Sequence, residues 1–229
     1  MILLAIEASA SLCSVGLWCD GEISERNSDA PRAHTRSLLA FVDELLRSRQ
    51  LTVSDCDALV FSAGPGSFTG VRLAAAVAKS LGYAAGKPVL GISSLAAMAQ
   101  AACQASPARD SCLVVTDARM GEYYLGRYRC SAGVLLAEAA DCLQAPAQLD
   151  TLVPGQALIV HDGNDWALQQ QAAGCPALAV QASARHLLQL AAGQLADGLP
   201  PAASALSVQV NYLRGRSSWK TVEQQQANH

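Results

Sequence analysis

Residues 58–96, ALVFSAGPGSFTGVRLAAAVAKSLGYAAGKPVLGISSLA, read as strand, glycine loop, helix, strand and the opening of a second helix. Leu59 to Ser62 is a short apolar run of β-formers that stops at Gly64-Pro65-Gly66, so a buried strand feeds a tight turn. Ser67 and Thr69 can both cap the helix that follows. From Val71 to about Ala85 Gly82 is the sole breaker, and Leu73, Val77 and Leu81 recur at i, i+4 and i+8. That row is expected to pack on the sheet. Ala74, Ala75, Ala78, Gly82 and Ala85 form a second, smooth stripe that lets another helix approach closely. Pro88 ends the crossover before Val89 to Ile92, and such a strand-helix-strand unit is expected to be parallel and right-handed.

Two readings of the glycine loop stay open. Glycines at a strand-to-helix turn let backbone N–H groups and the positive helix end hold a phosphate, which makes Gly64, Gly66 and Ser67 candidate phosphate or nucleotide contacts. The same glycines would equally serve tight helix–strand packing. The spacing Gly64-x-Gly66-x-x-x-Gly70 is one residue longer than the dinucleotide pattern, and no Gly-Lys-Ser/Thr follows, so this is not a Walker-type loop.

A chain of 229 residues accommodates one large domain or two lobes, and two lobes suit the composition. Hydrophobic residues make up 51% and charged ones 15%, an apolar balance that points to surface covered by a partner, although Ala-rich stretches account for part of it. The net charge of −3 lacks the basic field that unaided nucleic-acid binding requires. Eight cysteines show no CxxC pair and no zinc spacing, and most sit in apolar runs, as expected of reduced core residues in a cytosolic protein. The opening MILLAIE has no basic n-region and meets Glu7, so it reads as a first strand rather than a signal peptide. The Ala-rich helix carries Lys79, and no uncharged apolar run reaches membrane-spanning length.

Ile2 to Ile6 suits a strand buried on both faces; Cys13 to Trp18 reads as a second strand, and Asp20-Gly21 turns into a third at Glu22 to Glu25. Glu7 beside the small turn at Ser9 to Ser11 is either a phosphate loop or a plain hairpin with a solvated acid. His34 to Gln50 is a helix with two apolar rows, Leu38, Phe41, Leu45 and Leu39, Val42, Leu46, wide enough to face a core and a partner together. Ser93-Ser94 caps another helix over Leu95 to Gln104, and residues 105–110 link the lobes. Cys112 to Thr116, Asp117, a small turn and the strand Glu122 to Arg129 repeat the plan of the N-terminus about 110 residues later, a weak internal duplication. Strands at Val134 to Glu138 and Ala157 to His161 and helices at Pro146 to Leu152, Asp165 to Ala173 and Ala182 to Asp197 follow. The organisation is thus a first lobe at 1–105, a second at 106–216 and a polar tail at 217–229.

Catalytic signatures fail one by one. Four histidines, at 34, 161, 186 and 229, make no HxxxH or HExxH pair, and no GxSxG elbow occurs. Glu7, Asp117 and Asp162 are the acids best placed for chemistry, and each lies in a turn. Neither a catalytic set nor a metal site is expected.

The strings LLAIEASASLCSVGLW at 3–18, PRAHTRSLL at 31–39, GPGSFTGVRLA at 64–74, GISSLAAMA at 91–99, DARMGEYY at 117–124 and YLR at 212–214 closely resemble the TsaB (YeaZ) family of tRNA threonylcarbamoyladenosine biosynthesis proteins. The resemblance implies an α/β fold of the actin-like, Hsp70-like class, with two related ribonuclease H-like lobes. It further implies a non-catalytic dimerisation subunit that pairs with a related catalytic protein, TsaD, and with the ATPase TsaE. Together they move a threonylcarbamoyl group from its adenylate to the adenosine beside the anticodon of tRNAs reading ANN codons. TsaD would hold the metal, and tRNA would be met only through the complex. No cofactor is expected to bind tightly, with ATP, ADP or magnesium entering only in the assembly. A homodimer is implied as well, using the N-lobe helices at Leu38, Val42, Leu45 and Leu46 and at Gly70, Ala74, Ala75, Ala78 and Gly82. Glu7 departs from the family, where many relatives carry Asp. An actin-like ATP-dependent phosphotransferase, or a peptidase acting on its partner, would be the alternatives.

Overall fold

Continuous apolar sequence buried on both faces places β1 (Ile2–Glu7) at the centre of a sheet. The structure is a computed structural model that describes residues 1–29, 34–131, 134–149, 157–196, 198–201 and 204–214. β2 (Cys13–Cys19) and β3 (Glu22–Ser28) extend β1 antiparallel through the Asp20-Gly21 turn. Helix α1 (His34–Ser48) leads to β4 (Ala58–Gly64), which pairs parallel with β1, and α2 (Phe68–Ala85) crosses over to β5 (Val89–Ser93), parallel to β4. The sheet order is β3-β2-β1-β4-β5. Helix α3 (Ser94–Ala105) follows at once, its cap Ser93 accepting from the Leu95 and Ala96 amides.

The second sheet repeats the first. β6 (Ser111–Asp117) and β7 (Tyr123–Ser131) pair antiparallel, as do β7 and β8 (Val134–Ala137). A short β9 (Cys142–Gln144) and α4 (Pro146–Leu149) precede β10 (Leu158–His161), which is parallel to β6; α5 (Asp165–Ala172) then crosses to β11 (Ala177–Ala179), parallel to β10. The order β8-β7-β6-β10-β11 matches β3-β2-β1-β4-β5 strand for strand. Helix α6 (Ala184–Gln194) occupies the place that α3 has after β5, and α7 (Ser204–Ser207) closes the described chain. The weak duplication in the sequence is therefore complete in the topology. The strands β9 and β11 and helix α7 carry no sequence signal that predicts them, each being three or four residues long. The polar tail at 217–229, and the end of the helix expected at Pro146 to Leu152, lie outside the described residues.

α3 and α6 lie between the two sheets, in a core that joins Leu3, Ala5 and Val60 of one to Val114 and Val160 of the other. α6 packs on β1 and β2 although it comes from the second half, so a boundary at residue 105 separates the sheets and not the cores. Its N-terminus is held by Glu25, whose carboxylate accepts from the Arg185 amide at 2.8 Å and the Ser14 hydroxyl at 3.0 Å. Burial pushes Glu25 up, but these donors win and hold its carboxyl below the ordinary value.

α1 and α2 cover the outer face of the first sheet, and here the expected facing is reversed. Ala74, Ala75, Ala78 and Gly82 point into the sheet and are buried, while Leu73, Val77 and Leu81 are half-buried on the flank. A Cβ on Gly82 would come within 2.4 Å of a Val89 methyl, and one on Gly70 within 1.8 Å of the Ala8 carbonyl oxygen. Small residues let a long helix sit this close to a sheet, and larger ones at the same positions would lift it away. Leu38, Val42, Leu45 and Leu46 of α1 are likewise buried, leaving Leu39 as its exposed leucine at 54%. All nine residues expected at a partner interface thus lie inside the lobe.

Candidate functional site

Four turns at the strand ends of the two sheets face one another across a cleft of about 880 Å³. Its walls include Ser9 and Ser11 after β1, Gly66 and Ser67 after β4, Asp117 to Met120 after β6, and Asp162 after β10. Leu95 and Met98 of α3 form part of the apolar floor, beside a Ser94 hydroxyl that is buried without a hydrogen-bond partner.

The two turns of the first half are occupied with each other. The Ser67 amide donates to the Ser9 carbonyl at 2.7 Å, and a Cβ on Gly66 would lie 2.4 Å from the same oxygen. The Ser67 hydroxyl caps α2 by accepting from the Gly70 amide at 3.3 Å. Gly64, with φ +90°, sits beneath the cleft against Val71 and the Asn211 carbonyl, and does not line it. Of the two readings of this loop, its observed contacts are those of tight packing.

Glu7 is not the solvated acid that the hairpin reading of its turn expects: its side chain is entirely buried. Oε1 accepts from the Ser9 amide at 2.6 Å, whereas Oε2 has no partner. Burial pushes its carboxyl up, against the weaker pull of hydrogen bonds from Ser9, Ser62 and Ala8. Burial beneath the loop disfavours the charged form of Glu7 and keeps its carboxyl out of the cleft wall.

The second half keeps its acids open to the cleft. Asp117 accepts from the Arg119 amide at 2.7 Å and pairs with the Arg119 guanidinium at 3.1 Å, and its own amide donates to Asp162 at 3.1 Å. Asn164 caps α5 through Ala167 at 3.0 Å and donates to the Val115 carbonyl at 2.8 Å, so the Asp162-Gly163-Asn164 turn is first of all a helix start. Behind it His161 is buried, its Nδ1 accepting from the Gly163 amide at 3.0 Å, and burial pushes its pKa down. Among the described residues no three His, Cys, Asp or Glu side chains converge as a metal site would need.

A strap closes one side of the cleft. Asn211 donates to the Ala63 carbonyl at 2.7 Å, and three residues later Arg214 reaches the other half, pairing with Glu122 at 2.7 Å and donating to the carbonyls of Ala118 and Arg119. Between them Tyr212 accepts a hydrogen bond from Arg72 at 2.8 Å, and the Arg72 guanidinium lies 3.5 Å over the Phe68 ring. No local pattern predicts this bridge, since Tyr212-Leu213-Arg214 enters the sequence reading only as a family string.

Fold and cleft define an actin-like α/β protein of two ribonuclease H-like lobes in which the loop after β4 is hydrogen-bonded to the turn after β1. Comparison with known proteins narrows this class. The family described as TsaD, tRNA N6-adenosine threonylcarbamoyltransferase, matches residues 27–207. The tRNA threonylcarbamoyladenosine biosynthesis protein TsaB of Haemophilus influenzae is 43% identical over 56% of this chain and 53% of its own length. That of Escherichia coli is 37% identical over 64% and 63%. The chain thus matches between half and two thirds of the length of these curated relatives. A crystal structure from Pseudomonas aeruginosa, described as similar to peptidase YeaZ, superposes with a TM-score of 0.83 at 31% identity, covering 93% of this chain and 99% of that one. The chain belongs to the TsaB/YeaZ family, which is related to TsaD.

Proposed function

We propose that this chain acts in tRNA threonylcarbamoyladenosine biosynthesis as a non-catalytic subunit that pairs with a TsaD-type catalytic protein, with a TsaE-type ATPase joining the pair. Its likeness to tRNA threonylcarbamoyladenosine biosynthesis proteins supports the pathway. One structural observation supports the non-catalytic part: the Ser67 amide, which a phosphate would need, is spent on the Ser9 carbonyl, above a fully buried Glu7. Nucleotide and magnesium would enter at the assembled complex rather than at Gly64, Gly66 and Ser67 alone. The compartment consistent with this role is the cytoplasm; among the described residues no helix is long and apolar enough to cross a membrane.

The partner surface in this reading, for TsaD or for a second copy, is the outer side of α1 and α2. It presents Leu39, which is 54% exposed, the exposed Ala76 and Tyr83, and the flank of Leu73 and Val77. Ala78→Arg or Gly82→Arg would drive a charge into the packed sheet face and unfold the lobe. Leu39→Glu and Ala76→Arg are the informative variants: they should weaken pairing at least tenfold by titration calorimetry with the melting temperature little changed, and unaltered affinity would reject the surface.

The deciding experiment is a reconstituted modification assay with threonylcarbamoyl-adenylate synthesis, TsaD and TsaE, run with and without this chain. Threonylcarbamoyladenosine formed only when the chain is added, with no ATP turnover by the chain alone, is the expected result. Equal modification without it, together with ATP binding by the isolated chain, would return the phosphotransferase reading to the front.

A further inference from the structure

The outward face of α2 is a single stripe. Phe68, Arg72 and Ala76 recur at i, i+4 and i+8 and are exposed, whereas Val71, Ala74, Ala75 and Ala78 are buried. At its cleft end the stripe meets the strap. Phe68 is 51% exposed and Tyr212 is 53% exposed, and their ring centroids stand 6.2 Å apart. Arg72 lies over the Phe68 ring, 5.5 Å from the centroid of Tyr212, and its Nε donates to the Tyr212 hydroxyl. Two rings and a hydrogen bond thus hold the guanidinium, and among the described residues no carboxylate pairs with it. The arginines of the cleft wall differ, since Arg119 pairs with Asp117 and Arg214 with Glu122.

We propose that Arg72, clamped by Phe68 and Tyr212, is the electrostatic anchor of the partner surface on α2 and receives a carboxylate that the TsaD-type partner presents beside an apolar side chain. The inference rests on the pairing reading given above and carries that surface from the outer side of α2 onto the strap. A guanidinium already fixed by stacking loses little freedom on binding, and its fork matches a carboxylate with two parallel hydrogen bonds. Aromatic residues and arginine are also the side chains that carry most of the energy at protein interfaces, and the half-exposed rings of Phe68 and Tyr212 offer apolar area on either side of the charge. A nucleic acid fits less well. A polyanion laid across Phe68 and Tyr212 would meet Asp117 and Asp162 in the same cleft and a net charge of −3, whereas a single carboxylate needs only Arg72.

Titration calorimetry of the full chain with a TsaD-type protein, at low and at moderate salt, tests the anchor. Arg72→Gln should weaken pairing about tenfold, Arg72→Glu further, and Tyr212→Ala about as much as Arg72→Gln, because it removes the clamp. All three side chains are exposed, so melting temperatures should stay within a degree or two of the unmodified chain. Added salt should weaken the unmodified pair, and Arg72→Gln should flatten that dependence. Unaltered affinity in Arg72→Glu, with Leu39→Glu still weakening the pair, would overturn the anchor and leave the pairing in place. A loss in Arg72→Gln with an unchanged salt dependence would overturn the carboxylate. No binding by the unmodified chain would overturn the pairing reading and this inference with it. Binding of tRNA by the isolated chain, lost in Arg72→Gln, would assign the cluster to nucleic acid and overturn the proposal.

Discussion

The two halves share one strand plan and have different fates. In the first, α1 and α2 run 15 and 18 residues across the outer sheet face, whereas α5, the counterpart of α2, runs eight. The first half closes its outer face with a close-fitting stripe of Gly and Ala, the second with Trp166 over Leu113, Val115 and Ile159. The acids at the ends of the central strands diverge in the same way: Glu7 is sealed beneath its turn, whereas Asp117 opens on the cleft. Duplication preserved the hydrogen-bonding frame, which both sheets need to satisfy their backbones, and left the helices and turns to specialise.

The largest expected break in this comparison is at the third position after each helix cap, where the first half has Gly70 and the second Ala167. Gly70→Ala places a Cβ against the Ala8 backbone oxygen, which cannot move without shifting β1, and should cost about 3 kcal/mol or more in denaturant unfolding. Ala167→Gly should cost only about 1 kcal/mol, the helix propensity difference. Equal costs would mean that the first half is not the more tightly fitted.

A smaller contrast lies in the caps themselves. Ser67→Ala removes one cap bond and should cost about 1 kcal/mol, whereas Asn164→Ala also leaves the buried Val115 carbonyl without its donor and should cost about 2 kcal/mol. Thermal melts of the two variants order the pair.

The subtlest effect concerns pH. The fold favours neutral Glu7, so that group's contribution is full below the ordinary value of 4.5 and is lost as pH rises through its elevated folded value. Glu7→Gln should therefore stabilise the protein at neutral pH, with the gain vanishing below about pH 4.5. Glu25 has the opposite sign: its contribution is present above 4.5 and is lost as pH falls through its depressed folded value, so Glu25→Gln should destabilise at neutral pH and become harmless in acid. Melting temperatures from pH 3 to 8 test both, and parallel profiles for the two variants would contradict the placement of these acids.

Much of the frame was legible in the chain. Ile2 to Ile6, Leu59 to Ser62 and Val89 to Ile92 are apolar runs bounded by turn residues, and they fall at β1, β4 and β5. The facing of α2 was not legible, because hydrophobicity ranks Leu73, Val77 and Leu81 above alanines, while the sheet selects for closeness of approach. Nor could the candidate site be read in full. Glu7 looks solvated beside serines, yet its side chain is fully buried where the glycine loop packs on Ser9.

The sequence by itself determined the duplicated strand plan, the sharp turns and the family, since these rest on local periodicity, on glycine and proline, and on contiguous strings. The tertiary structure alone decided which helix face packs inward, that the Ser67 amide meets the Ser9 carbonyl, and that Arg214 spans the cleft. Arg214 meets Ala118 from 96 positions away and Arg72 meets Tyr212 from 140, and no local pattern records such a meeting.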